Sequence, residues 1–167
     1  HADSTATIMT SIDQRFSKGK VWSDDNKRIF HDNTGYIILQ ADTCITLTEN
    51  KEGQWKDFMG MYKPEILKSK LFSVYLKHRK DAPASYVYLT LPATTQQKVR
   101  DFDSRSVHII RNDKKAQAAV INDLCYASVY HPTNLLIDND NPIAISEPGT
   151  YIIHIKKKEI VSHESFA

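Results

Sequence analysis

No stretch of this sequence approaches the ~20 consecutive apolar residues that cross a bilayer. Its start, His1-Ala2-Asp3-Ser4, has neither the basic nor the apolar segment of a secretory leader. A soluble chain without a membrane partner is expected. An excess of one charge is lacking too: 22 Lys and Arg face 20 Asp and Glu, a formal net charge of +2. So balanced a chain has no overall field for nucleic acid, and any polyanion site must be local. Cysteine is scarce. Cys44 and Cys125 lie far apart with no close His or Cys, which argues against zinc or redox chemistry. Two buried free thiols on separate strands are the first reading and a single disulfide the second. The histidines at 1, 31, 78, 108, 131, 154 and 163 miss the spacings of helical metal sites. With no nucleophile elbow and no catalytic Cys signature either, no catalytic residue, metal or cofactor is assigned.

What the sequence does have is strand pattern. Its 167 residues, 41% hydrophobic and 25% charged, suffice for a real core and for one domain or two small ones. Short segments rich in Val, Ile, Tyr, Phe and Thr alternate with Asn, Asp, Gly and Pro, the signature of strands and turns. The expected strands are Arg28–His31, Gly35–Gln40, Cys44–Glu49, Leu71–His78, Tyr86–Leu91, Val107–Arg111, Ala116–Asn122, Cys125–Tyr130, Asn134–Ile137, Ile143–Glu147 and Tyr151–Lys156. The fold class is therefore all-β. In Tyr86–Leu91 the period of two puts Tyr86, Tyr88 and Thr90 on one face and Val87, Leu89 and Leu91 on the other. With both faces apolar, this strand is expected between two layers of a thick sandwich. The one helical candidate is Thr94–Phe102, capped by Thr94 or Thr95, as a connection. The polar run Asp101–Ser106 marks a boundary near residue 105. Beyond it, roughly six shorter strands suit a small second sandwich.

Several groups are candidates for binding. Lys77-His78-Arg79-Lys80 ends an expected strand. Arg there can meet carboxylate or sulfate in bidentate fashion, although a solvated turn is the plainer reading. Arg111, Lys114, Lys115 and Lys156-Lys157-Lys158 read as solvated faces. Trp22 and Trp55 offer flat apolar faces that suit the C–H side of a sugar ring, against core packing as the first reading for both. Asp138-Asn139-Asp140-Asn141 superficially resembles a calcium loop but lacks its Gly and distal Glu, so a turn before Pro142 is expected.

Taken in order, five segments resemble the downstream β region of polysaccharide lyase family 8, whose members cleave hyaluronan, chondroitin or xanthan. These are Thr10–Arg15, His31-Asp32-Asn33-Thr34-Gly35-Tyr36, Glu52–Phe58 with its Gly-x-Trp-x-Asp, Leu71–Pro92 with Tyr86-Val87-Tyr88-Leu89-Thr90-Leu91-Pro92, and Val107–Ile145. Arg79 stands where the family has Gly, and Phe58-Met59 where it has Ile-Asn. The resemblance implies an antiparallel β-sandwich, the end of a large supersandwich, over 1–105 and a small C-terminal β-sandwich over 106–167. It implies a secreted or periplasmic enzyme that performs β-elimination on acidic, uronic-acid-containing polysaccharide with a helical α/α toroid. No such toroid is encoded here. The chain is accordingly expected to be a non-catalytic scaffold that partners that toroid, or else a free-standing module for acidic polysaccharide. Lys77, Arg79, Lys80 and Trp55 are the candidate contacts.

Overall fold

The structure, a computed structural model, describes residues 7–25, 27–81, 83–137 and 142–165. The chain divides between Phe102 and Asp103 into two compact units.

In the first unit, Thr7–Phe16 (β1), Thr43–Gly53 (β5) and Leu67–Arg79 (β6) form a sheet in the order β1-β6-β5. Trp22–Asp24 (β2), Arg28–His31 (β3), Thr34–Gln40 (β4) and Val87–Leu91 (β7) form a second, in the order β2-β3-β4-β7. All pairings are antiparallel. Alternation decides which side chains point inward. Phe72, Val74 and Leu76 of β6 and Cys44 of β5 pack with Ile29, Tyr36 and Ile38 of the other sheet into one buried cluster. At about 25 cal/mol per Å² of apolar area, this burial is the main force joining the two sheets.

The β3–β4 hairpin turns on Asp32 and Asn33 alone, both in the left-handed region at φ 44° and 63°. A two-residue turn of this hand matches the strand twist, and Asp and Asn tolerate it better than other non-glycine residues. After β7 comes Gln96–Arg100 (α1), whose N-cap Thr95 accepts from Lys98 N. The cap and the helical turn stand where expected. Val99 of α1 is fully buried, and a Cβ on Gly35 would lie 2.2 Å from its Cγ2. Only glycine lets helix and strand approach so closely.

Two expectations fail here. The strand covered on both faces is β4, not β7. Thr34 through Ile38 are all buried, with Tyr36 and Ile38 toward the partner sheet and Gly35 toward α1. Val87–Leu91 lies at the sheet edge and is mostly half-buried. β1 and β2, together with the final strand Glu159–Ser165 (β14), are strands that apolar patterning did not announce.

In the second unit, Val107–Asn112 (β8), Ala116–Ile121 (β9), Leu124–Val129 (β10), Gly149–His154 (β13) and β14 make a five-stranded antiparallel sheet, ordered β14-β13-β10-β9-β8. Thr133–Leu135 (β11) and Ile143–Ile145 (β12) pair as a ribbon. Small inward residues, Ala116, Ala118 and Ala127, leave room for Leu135 and Ile145 of that ribbon to bury in the same cluster as Val120, Cys125, Val129, Tyr151 and Ile153. The Tyr151 hydroxyl donates to Glu147 O at 2.7 Å, a corner bond of the kind that steadies β-sandwiches. Gly149 is required by β14, since a Cβ there would lie 2.4 Å from Glu164 O. The Asp138–Asn141 run lies outside the described residues.

Candidate functional site

Two segments singled out in the sequence, Thr10–Arg15 and His31–Tyr36, meet in one polar cluster on the first unit. β1 places Asp13 and Arg15 opposite Val74 and Phe72 of β6, on the inward face. Arg15 donates to Asp13, to Thr34 Oγ1 at 3.0 Å and to the Tyr36 hydroxyl at 2.7 Å, and Tyr36 in turn donates to Asp13. Burial and the neighbouring Asp13 carboxylate both hold the Tyr36 hydroxyl protonated well above its ordinary range. The Asp13 hydrogen bond likewise raises Arg15. The Tyr36 hydroxyl and the Arg15 guanidinium are thus both held in their protonated forms. A general base or acid needs an affinity for protons matched to the operating pH, and Tyr36 and Arg15 are both shifted away from it. The cluster does different work: it fastens β1 to the β3–β4 hairpin through charge-assisted bonds.

His31 lies alongside. It has no exposed surface, stacks on Phe72 with ring centroids 4.1 Å apart, and brings Nε2 within 2.9 Å of Ser17 Oγ and 3.3 Å of Asp32 Oδ2. Its Nδ1 is buried without a hydrogen-bond partner among the described residues. A neutral ring with its proton on Nε2 suits these neighbours. Burial lowers its proton affinity further, against the pull of Asp32.

The four polysaccharide candidates fall at opposite ends of one hairpin. Lys77, Arg79 and Lys80 are exposed at the end of β6, with Arg79 paired to Asp81 at 2.8 Å. Trp55 sits past the other end, beyond the Gly53–Leu67 pair, in the 3-10 turn Trp55–Asp57. The 13 residues of β6 span about 40 Å at roughly 3.3 Å per residue. The structure therefore brings the three cations together and keeps Trp55 apart from them. Nor is Trp55 in a core, as first expected, for it is 58% exposed. Trp22 is half-buried, with the Arg100 guanidinium 5.2 Å from its ring centre.

Other candidates prove structural. Arg111 binds Asp113, Thr133 Oγ1 and Asn134 O, tying β8 to β11. Lys156 pairs with Asp123 at 2.9 Å. Cys44 and Cys125 are buried free thiols on β5 and β10, both pushed up to about 11 by burial. Such thiols are poor nucleophiles. Among the described residues no group of three His, Cys, Asp or Glu side chains could hold a metal ion. A cleft of about 390 Å³ opens where β4 runs into β5, lined by Lys27, Gln40, Asp42 and Cys44 among others.

Sequence reasoning missed the convergence of Asp13, Arg15 and Tyr36. Its only local signal was the presence of two charges, both inward, in a segment that would otherwise alternate as a strand.

The family model of the polysaccharide lyase family 8 super-sandwich domain matches residues 1–103. A hyaluronate lyase of Thermasporomyces composti is 25% identical over 126 residues, 72% of this chain and 16% of that enzyme. A chondroitinase AC lyase superposes over 95% of this chain with a TM-score of 0.76 at 15% identity, and the match covers 26% of that enzyme. A Paenibacillus xanthan lyase does so over 87% at 0.66 and 12% identity, with 17% of that enzyme covered. The two solved structures share the fold of both units. The chain spans about a quarter or less of each of these enzymes. With its first 103 residues matching the super-sandwich domain, the chain belongs to polysaccharide lyase family 8.

Proposed function

We propose that this chain is the non-catalytic β region of a lyase that degrades uronic-acid-containing polysaccharide by β-elimination, and that it braces a helical catalytic domain. The observation that carries the reading is the super-sandwich match over residues 1–103, in a chain whose match to a hyaluronate lyase relative covers 16% of that enzyme. The chemistry supports it. β-Elimination needs a group to neutralise the uronate, a base for the C5 proton and an acid for the leaving oxygen, all within reach of one sugar. In the polar cluster around Asp13 the side chains bond to one another, and Tyr36 and Arg15 hold their protons well above neutral pH. The acidic polysaccharide would be met through the parent enzyme, outside the cytoplasm, where such polymers lie. The test is direct: the chain is incubated with hyaluronan, chondroitin sulfate and xanthan while ultraviolet absorbance of unsaturated products is followed. No rise is expected, and a steady rise abolished by boiling the protein overturns the reading.

A further inference from the structure

The turn joining β5 to β6 carries an unusual density of large apolar groups in solvent. Trp55 is 58% exposed, Phe58 82% and Met61 88%, with Tyr62 beside them also exposed. Exposed apolar residues normally occur singly, and a contiguous patch marks a binding surface. This one is ordered. Phe58 and Met59 both donate their backbone N–H to Trp55 O, at 3.1 and 2.9 Å, and Tyr62 N donates to Met59 O at 3.1 Å. Gln54 Nε2 donates to Asp57 Oδ1 at 3.0 Å, closing the turn over Trp55. Phe58 stands edge-on to the indole at 64° and Tyr62 tilts at 39°, each with ring centres 6.4 Å away. The indole is therefore supported by two other rings while more than half of the residue stays open.

We infer that this hairpin tip is a saccharide subsite, taking one pyranose unit of an anionic polysaccharide on the Trp55 face. The proposal rests on the lyase reading for its ligand class. A rigid aromatic face suits the apolar C–H side of a pyranose and loses little side-chain entropy on binding. The cations agree: Lys51 and Lys68 are held by Glu49 and Glu52, but Lys56, in the same turn as Trp55, and Lys63, next to Tyr62, make no ion pair among the described residues. They are placed for a carboxylate or sulfate on the ring or its neighbour. The about 40 Å to Lys77–Lys80 makes this a site separate from that basic end.

The chain has two tryptophans, so Trp22→Phe leaves Trp55 as the sole indole reporter. This variant is titrated with hyaluronan and chondroitin sulfate oligosaccharides, following Trp55 fluorescence and the indole N–H shift. Saturable binding is expected, weakened at least tenfold by Trp55→Ala in the wild-type background, measured calorimetrically. It should lose much of its salt dependence in the Lys56→Ala, Lys63→Ala pair. Because Trp55 is exposed, Trp55→Ala should keep the parent circular dichroism, and Trp55→Phe, which retains a ring, should recover part of the affinity. Absence of binding, or binding unchanged in Trp55→Ala, overturns the subsite. So does self-association in the ultracentrifuge that Trp55→Ala abolishes without any glycan effect, since the patch is then a protein interface. None of these results touches the lyase reading, which fails on product formation alone.

Discussion

Burying His31 with no exposed surface against Phe72 makes its charged form costly, and burial outweighs the favourable Asp32 carboxylate. Arg15 and Lys70 oppose the charge further, while Asp13 favours it. The folded state therefore binds this proton more weakly than the unfolded chain, whose histidine titrates near about 6.5. Stability linked to His31 is complete above that value. It is lost as pH falls below it, with a slope approaching about 1.4 kcal/mol per pH unit until the folded ring also protonates. Urea midpoints should fall between about pH 7 and pH 5, and the His31 ring proton should titrate below 6.5 by NMR. A ring titrating at or above 6.5 would show that Asp32 wins. The residue was conspicuous in the sequence only as part of a motif. Its burial depends on Phe72, 41 positions away, which no local pattern reveals.

At the scale of elements, β4 is pinned between a sheet and a helix, and Gly35 sets the spacing on the helix side. Gly35→Ala pushes a methyl into Val99 and should cost about 1–3 kcal/mol, as overpacked cores do. In the Val99→Ala background the clash disappears, so the double mutant should be more stable than the sum of the two single losses, measured as a thermodynamic cycle. Additive losses would mean that α1 moves aside freely. The short helix was legible and its cap narrowed to Thr94 or Thr95, because capping is written in four or five consecutive residues; the structure selects Thr95. The edge position of β7 was not, because Tyr86–Leu91 has the same two-faced apolar pattern whether a neighbour covers it or not. β1 escaped notice for the opposite reason. Asp13 and Arg15 occupy its inward positions, and a strand with inward charges breaks the alternation by which strands are recognised. β14 is exposed at every residue and so carries no pattern at all.

At the scale of the whole molecule, the two units have separate buried clusters. Both tryptophans belong to the first unit, so fluorescence reports on that unit alone. Leu135 is fully buried in the second cluster. Leu135→Ala should cost that unit about 2–5 kcal/mol. Hydrogen exchange across residues 103–167 should then speed up while the tryptophan-detected unfolding midpoint holds still. A midpoint that drops with it would show the two units unfolding as one. What the sequence by itself determined is the all-β class, most of the strands, the short capped helix after Pro92, and the resemblance to family 8. These are properties of neighbours along the chain, since side-chain period and turn conformation are decided within a few residues. Only the tertiary structure decided that β4 is the covered strand, that Asp13, Arg15 and Tyr36 close on one another, and that Trp55 stands in solvent. Burial depends on what lies opposite. β5 and β6 run 11 and 13 residues against facing strands of three to seven, so their far tip has nothing in that sheet to pack on.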